Sequence, residues 1–186
     1  MKTFKVTSNN YPWDTNGYKP EIVYELSTLE NAFAMHIIAY EEEPQSKETK
    51  HLNPVYMDSC VEWFVNFCPE TSDWYFNYEI NSLGTVDVNL RLDRYTKKDI
   101  LLEEVESFKI TPQIFDDRWE ISFVVPFDFI KKYYPDFTYT KGMTLKGNFS
   151  KCGDGTKYPH FGTWCDIPTP EPDFHLSEYF KEFQVD

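Results

Sequence analysis

The chain between residues 53 and 92 contains three stretches in which apolar and polar side chains alternate with a period of two. One set is Ser59, Val61, Trp63 and Val65, then Phe76, Tyr78 and Ile80, then Val86, Val88, Leu90 and Leu92. The other set is Tyr56, Asp58, Cys60 and Glu62, then Asn77, Glu79 and Asn81, then Asp87, Asn89 and Arg91. Successive side chains of a β-strand point to opposite faces. The alternation therefore predicts two or three strands with one apolar face and one polar face.

The remainder of the chain repeats this pattern in shorter pieces. Strands are predicted at 22–26, 31–41, 108–110, 119–125 and 143–150. In 31–41 the side chains of both faces are largely apolar, as expected of a strand that is buried on both sides or lies under a loop. Helical spacing is confined to 127–134 and, as a short helix or closing strand, to 177–183. Many short strands with few helices predict an all-β fold, an antiparallel β-sandwich of two packed sheets with one or two short helices. The length of 186 residues predicts a single domain that spans 1–186.

The charge of the chain limits its partners. There are 18 Lys and Arg against 31 Asp and Glu, a formal net charge of −13. Nucleic acids and anionic membrane surfaces need cationic contacts, so neither is an expected partner. An aromatic share of 18% supplies flat surfaces on which a ligand can stack. A neutral or cationic ligand, or one rich in hydroxyl groups, fits this composition better.

The sequence gives expectations about the compartment of the protein and the state of its cysteines. No stretch is long enough to span a bilayer, and no apolar core follows the first residues as in a secretory signal. The protein is therefore expected to be cytoplasmic or a trimmed form of a secreted protein. The four cysteines form no CxxC pair, and free thiols are the expected state.

Two kinds of chemistry compete for the polar face. Glu62 and Glu79 would project from it together, so a pair of glycosidase carboxylates is conceivable, although neither has an evident apolar pocket to raise its pKa.

His36 lies in an apolar stretch and is expected to be a core histidine. Among cofactors only a structural calcium ion is considered, with ligands from Asp154, Asp166 and Asp173, although no loop has EF-hand spacing.

Carbohydrate binding accounts for more of the polar face than catalysis does. A pyranose stacks its C–H face on an aromatic ring, and its hydroxyl groups bond to carboxylates, amides and arginine. Tyr56 would supply one ring next to Glu62, and Trp164, in a glycine-flanked loop, could fold over the same face. The predicted hydrogen-bonding residues are Glu62, Asn77, Glu79, Asn81, Arg91 and Asn148.

These same motifs resemble the family 9-like carbohydrate-binding proteins, relatives of the family 9 carbohydrate-binding modules attached to xylanases. The resemblance covers residues 10–183. It rests on Asp58-Ser59-x-Val61-Glu62, on Asn77-x-Glu79-x-Asn81, and on residues 147–154, 160–164 and 172–175. It implies a β-sandwich that binds the end of a glucan or xylan chain, or a small sugar, between two aromatic rings without cutting it. The matching positions would be Tyr56 and Trp164 for the rings and Glu62 for a hydrogen-bonding acid, with Arg91 and Asn148 as looser matches.

The hypothesis is therefore non-catalytic binding of a mono- or oligosaccharide. The alternative from another class is a carbohydrate-active enzyme, similar to a glycoside hydrolase, that uses the carboxylates of the same face. A third possibility is that the site has become a surface for protein interaction.

Overall fold

The structure is a computed structural model that describes residues 3–186. Its strands are β1 (Phe4–Ser8), β2 (Glu21–Thr28), β3 (Ala32–Tyr40), β4 (Cys60–Asn66), β5 (Tyr75–Asn81), β6 (Val86–Arg91), β7 (Lys97–Asp99), β8 (Thr111–Ile114), β9 (Trp119–Pro126), β10 (Met143–Cys152), β11 (Phe161–Thr163) and β12 (Lys181–Val185). The helices are α1 (Leu102–Val105) and α2 (Phe127–Tyr133), with 3₁₀ turns at Glu106–Phe108 and Ser177–Tyr179.

The strands form two antiparallel sheets that share one core. The first sheet has the order β1-β2-β3-β9-β8, and the second has the order β11-β10-β4-β5-β6-β7, with β12 also paired to β10. Buried side chains from both sheets belong to the same apolar cluster. The predicted all-β antiparallel sandwich with short helices is confirmed. Within the described residues, no helix has the length and apolarity needed to cross a membrane.

The apolar side of β4, β5 and β6 faces the core, as the alternation predicts. Trp63 stacks on Tyr78 with ring centroids 5.5 Å apart, and Phe123 of the opposite sheet lies 6.2 Å from Trp63. Because one parity of each strand is fixed inward by these contacts, the other parity is presented on the outer face of the second sheet. The polar residues of these strands therefore share one surface.

Strand β3 differs from its prediction, because it is buried on one side only. Phe33, Met35 and Ile37 point into the core, whereas the residues between them are partly exposed. His36 lies on the outer face, 3.4 Å from Glu25 and 3.0 Å from Glu120. The prediction of a core histidine is wrong because the carboxylates that flank His36 come from neighbouring strands, β2 and β9, which local sequence does not show.

The strand predicted at 108–110 is also wrong. The 3₁₀ turn at Glu106–Phe108 is followed by Lys109, whose φ of 50° is left-handed. Strand β8 begins only at Thr111. Strand β8 lies at the edge of its sheet and pairs only with β9. An edge position tolerates Pro112, which has no N–H to contribute to a ladder.

Candidate functional site

A cleft of about 550 Å³ lies over the polar face of the second sheet. Its walls combine aromatic rings, carboxylates and cationic side chains. The lining residues are Pro54, Tyr56, Glu62, Glu79, Asp87, Arg91, Arg94, Lys97, Cys152, Asp154, Phe161, Pro172, Asp173, Phe174 and His175. This mixture of apolar rings and converging polar groups is typical of small-molecule sites.

The floor of the cleft is a row of carboxylates across three strands. Glu62 of β4 lies opposite Glu79 of β5, and Glu79 lies opposite Asp87 of β6. All three are buried. Arg91, at the end of β6, donates from Nη1 to the backbone oxygen of Arg94 at 3.0 Å. Within residues 3–186, its buried Nε has no hydrogen-bond partner.

Tyr56 forms one wall from a turn that precedes β4. The loop after β10 holds this turn, because the backbone N–H groups of Asp154 and Gly155 donate to the oxygens of Tyr56 and Met57 at 3.2 and 2.9 Å. A Cβ at position 155 would lie 2.8 Å from the Met57 oxygen, so only glycine permits this approach. The Tyr56 side chain is 45% exposed. Its ring is therefore free to stack on a ligand.

The facing wall comes from the segment between β11 and β12. The ring of His175 packs 5.3 Å from that of Phe64, and its Nδ1 lies 3.2 Å from the Tyr75 hydroxyl. Burial and then the charge of Arg91 lower the pKa of His175 to about 4, so this imidazole is neutral at pH 7. At the rim, Arg94 pairs with Asp173 at 3.4 Å. This ion pair links the β6–β7 hairpin to the late segment across the cleft.

The carboxylates of the floor have raised pKa values. Burial raises the pKa of Glu62 to about 7 and that of Asp154 to about 6. Burial, with the charges of Glu62 and Asp87, raises the pKa of Glu79 well above its usual range. The expectation that no apolar surroundings would perturb these acids is wrong, because the aromatic walls and the late loop exclude water from the strand face.

The structure brings together four of the predicted site residues, Tyr56, Glu62, Glu79 and Arg91. Asn77 lies next to them, beneath the floor, and donates from Nδ2 to Glu62 at 3.3 Å. Asn77 does not line the cleft and acts by orienting Glu62.

Asn81 and Asn148 do not reach the cleft. The amide of Asn81 donates to Asp58 at 2.8 Å and to the backbone of Glu48 at 2.9 Å. The amide of Asn148 bonds to Thr163, to Ser150 and to the backbone N–H of Cys165. Both side chains share the polar face of the sheet, as predicted, but their amides are hydrogen-bonded to residues of the segments that cover this face. Neither is positioned to contact a ligand.

Trp164 is the main correction to the predicted site. Its indole packs edge-on against Phe4, Phe149 and Phe183, with centroid distances of 6.1, 5.5 and 6.0 Å. It does not line the cleft, so it forms no lid over Tyr56. It anchors β11 to the core, because its backbone N–H also bonds to the oxygen of Phe149 at 2.9 Å.

Sequence reasoning missed several lining residues. Asp87 alternates with Asn89 and Arg91 on the polar face, and that signal could have identified it. Phe174 and His175 belong to the 172–175 stretch of the family resemblance, but they were not assigned to the site, because they lie in a proline-punctuated segment with no periodicity. Only the tertiary fold, in which this segment packs against Phe64, brings them to the site.

The acids predicted as calcium ligands do not come together in the described part of the chain. No group of three or more His, Cys, Asp or Glu side chains is arranged there to hold a metal ion. Asp154 and Asp173 line the cleft without meeting as ligands, and Asp166 is exposed. The residues considered for calcium do not fit such a site, and the binding chemistry below involves no metal.

A buried ion cluster lies close behind the cleft. The Lys151 ammonium is 3.2 Å from Glu41 Oε2, 2.7 Å from His160 Nε2 and 2.8 Å from the backbone oxygen of Cys152. Glu41 also accepts hydrogen bonds from Trp119 and Ser59 at 2.8 and 2.9 Å. Lys151 directly precedes Cys152, which lines the cleft, so this cluster supports the strand end that carries one wall.

Two other clefts of similar size lack comparable chemistry. One, of about 530 Å³, contains Tyr18, Tyr40 and Tyr158 beside surface acids, and the other, of about 690 Å³, lies next to α1. The carboxylate row Glu62, Glu79 and Asp87 belongs to neither. The cleft over the second sheet is therefore the candidate site.

Comparison with known proteins identifies a matching family and several similar structures. Residues 2–185 match the family described as "Carbohydrate-binding family 9". A structure of a candidate carbohydrate-binding protein from Bacteroides uniformis ATCC 8492 is 24% identical with a TM-score of 0.85, covering 99% of this chain and 87% of that one. A search of curated proteins gave no match.

Two further structures are family 9 modules from Caldicellulosiruptor kristjanssonii. The complex with cellotriose has a TM-score of 0.68 at 12% identity, with 98% of this chain and 82% of that chain covered. The complex with glucose has a TM-score of 0.64 at 12% identity, with coverages of 97% and 84%. At these identities the structural likeness establishes the fold, a β-sandwich.

Proposed function

The chain belongs to carbohydrate-binding family 9, and from this premise we propose that its cleft binds a mono- or oligosaccharide without cleaving it. The observation that carries this proposal is the arrangement of Tyr56, Glu62 and Arg91 around one cleft. A half-exposed aromatic ring, a buried acceptor and a buried N–H without a partner are the groups that a pyranose engages. The two family 9 modules with cellotriose and glucose make these sugars the first ligands to test.

Each group has a distinct part in the proposed binding. The ring of Tyr56 stacks on the C–H face of the sugar, and Phe174 and His175 close the other side. Glu62 accepts from hydroxyl groups in a position fixed by Asn77. Arg91 donates its Nε–H, which has no partner among the residues that the structure describes. The whole chain, residues 1–186, is proposed to act as a single binding domain.

Tyr56→Ala is expected to weaken sugar binding about tenfold or more, equivalent to about 1.4 kcal/mol. The reason is that tyrosines are frequent hot spots of binding energy. Isothermal titration with glucose, cellobiose, cellotriose and xylobiose measures the effect. Tyr40→Ala is the matched control, since Tyr40 is 44% exposed, Tyr56 is 45% exposed, and Tyr40 lies outside the cleft. Equal affinities for the two variants would contradict the stacking role of Tyr56, and no heat with any sugar would contradict the proposed function.

Glycoside hydrolysis is the second candidate, and the raised pKa of Glu62 favours it. In glycosidases, however, two carboxyl groups flank the scissile bond. Here Glu62 and Glu79 lie side by side on adjacent strands of one floor. Incubation with aryl glycosides and oligosaccharides, with Glu62→Gln as control, decides between the functions. Turnover that disappears in Glu62→Gln would establish the enzyme.

A further inference from the structure

The middle carboxyl group of the floor has like-charged neighbours on both sides. Glu79 pairs directly with Glu62 on β4 and with Asp87 on β6. Side chains at opposed positions of antiparallel strands are about 5 Å apart, and like charges there are destabilising. The side chain of Glu79 is at least nine-tenths buried, so water does little to screen it. Three ionised carboxylates in this row would repel one another strongly.

Hydrogen-bond donors distinguish the three acids. Asn77 donates to Glu62 at 3.3 Å, and Asn89 donates to Asp87 at 2.9 Å. The side chain of Glu79 has neither a hydrogen bond nor an ion pair with any residue in the described range 3–186, although it lines the cleft. The outer two acids therefore each have a donor that favours the ionised form, and the middle one has none.

Nearby cations offset this repulsion only in part. Arg91 is the cation that acts on all three acids, and it forms no salt bridge with any of them in the described structure. Lys97 is engaged by Asn89 and Asp99 at 3.1 Å each. The other groups that face Glu79 across the cleft are Arg94, Cys152, Asp154, Asp173 and His175. Arg94 and Lys97 also line the cleft, but they are engaged by Asp173 and by Asn89 and Asp99, so among the described residues Arg91 is the one cation that acts on all three acids. This balance of charge favours retention of a proton in the row.

We propose that Glu79 is a neutral carboxylic acid in the unliganded protein and donates its proton in a hydrogen bond to an acceptor oxygen of the bound carbohydrate. This inference rests on the proposed function. A carboxylate can only accept, whereas a carboxylic acid also donates. A neutral Glu79 can therefore donate to a hydroxyl oxygen and also to a ring or glycosidic oxygen, which carries no hydrogen and can only accept. It selects uncharged sugars, because an ammonium-bearing sugar would call for an ionised Glu79.

The protonation state is tested without any ligand by infrared spectroscopy. At about pH 8.5, above the pKa values of Glu62 and Asp154, the wild type is expected to show the carbonyl band of a protonated carboxyl group. The band should be absent in Glu79→Gln and present in Glu103→Gln, which changes an exposed acid. Identical spectra for the wild type and Glu79→Gln would overturn the proposal, whatever the outcome of sugar titrations.

The donor role is tested by comparing two uncharged replacements. Glutamine offers an N–H donor in place of the O–H, and methionine has a similar length without one. Glu79→Gln is expected to bind glucose or cellobiose at least tenfold more tightly than Glu79→Met, and with less pH dependence than the wild type, whose affinity falls as pH rises. Equal binding by the two variants, or a wild-type preference for glucosamine over glucose that Glu79→Gln abolishes, would show an ionised Glu79 and overturn the proposal.

The stability of the fold gives a third readout. Because the folded-state pKa of Glu79 lies above its unfolded value, the stability that it contributes is fully present below the unfolded pKa and is lost as pH rises through the folded pKa. The urea midpoint of the wild type should therefore fall between pH 5 and pH 8.5 by more than that of Glu79→Gln. A steeper fall in Glu79→Gln would contradict the inference.

Discussion

Replacing Lys151 with methionine is expected to lower the free energy of unfolding by about 3–5 kcal/mol, because it removes one partner of a buried ion pair. The Lys151 side chain has no exposed surface, and its ammonium lies 3.2 Å from Glu41. Methionine fills similar volume, so the loss comes from the uncompensated charge of Glu41 and not from a cavity. Urea denaturation followed by circular dichroism measures the change.

Two controls separate charge from packing in this experiment. Lys146→Met changes a partly exposed lysine of the same strand, and its effect should stay within about 0.5 kcal/mol. The double variant Lys151→Met/Glu41→Gln removes both charges and should recover much of the loss. If the double variant is as unstable as Lys151→Met, the ion pair is not the cause.

The pH dependence of this cluster has a definite sign. Burial raises the pKa of Glu41, but Lys151, His160 and two hydrogen bonds lower it by a larger amount. The pKa of Glu41 therefore lies below its usual value. Its stabilisation is present above the unfolded pKa and is lost as pH falls through the folded one. Burial and the charge of Lys151 lower the pKa of His160 to about 4, so acid below about pH 6.5 favours the unfolded chain, in which this histidine protonates freely. Both groups weaken the fold in acid.

The second large effect is expected at the site. Arg91→Met should weaken sugar binding by about 2 kcal/mol or more, about 30-fold, because arginines at binding sites are among the side chains whose truncation costs most affinity. In the described part of the chain the buried Nε of Arg91 has no partner, so a bond to a ligand would be the first that this donor makes. Isothermal titration with cellobiose or glucose gives the affinity. A circular dichroism spectrum verifies that the variant is folded at the titration pH.

Arg94→Met is the matched control for Arg91. Arg94 lines the same cleft, but it is half exposed and already paired with Asp173. Exposed ion pairs contribute about 0–1 kcal/mol, so this variant should lose less than about fivefold in affinity. Equal losses in the two variants would indicate a general effect of positive charge and would contradict a directed bond from Arg91.

The sequence was sufficient for the floor of the site. Alternation along β4, β5 and β6 places Trp63 and Tyr78 inward, and therefore Glu62 and Glu79 on the opposite face, because a period of two leaves no other choice. It was insufficient for the walls. A glycine-flanked tryptophan looks the same locally whether it covers a ligand or anchors a loop. The contacts that decide the case of Trp164 come from Phe4 and Phe183, at the two ends of the described chain.

The raised pKa values of the carboxyl groups could not be predicted from the sequence either, for the same reason. The side chains that remove water from Glu62 and Glu79 belong to the turn at Tyr56, to the loop at Asp154 and to the segment at Phe174. None of these lies next to the acids in sequence. Solvation is a property of the assembled fold, so local patterns could give the position of each carboxyl group but not its pKa.

The pairing of β4 with both β5 and β10 has a consequence for how the protein is made. The register of β4 with β5 joins Glu62 to Glu79, which are close in sequence, whereas its register with β10 joins Glu62 to Ser150. During synthesis the β4–β5–β6 hairpins can form while β10 is still inside the ribosome. In that interval β4 is an open edge whose residues are all buried in the finished protein. Such an edge can pair with another chain, and distant strand pairings form slowly. The assembly of nascent chains, more than the stability of the finished sandwich, should therefore limit the yield of folded protein at high concentration.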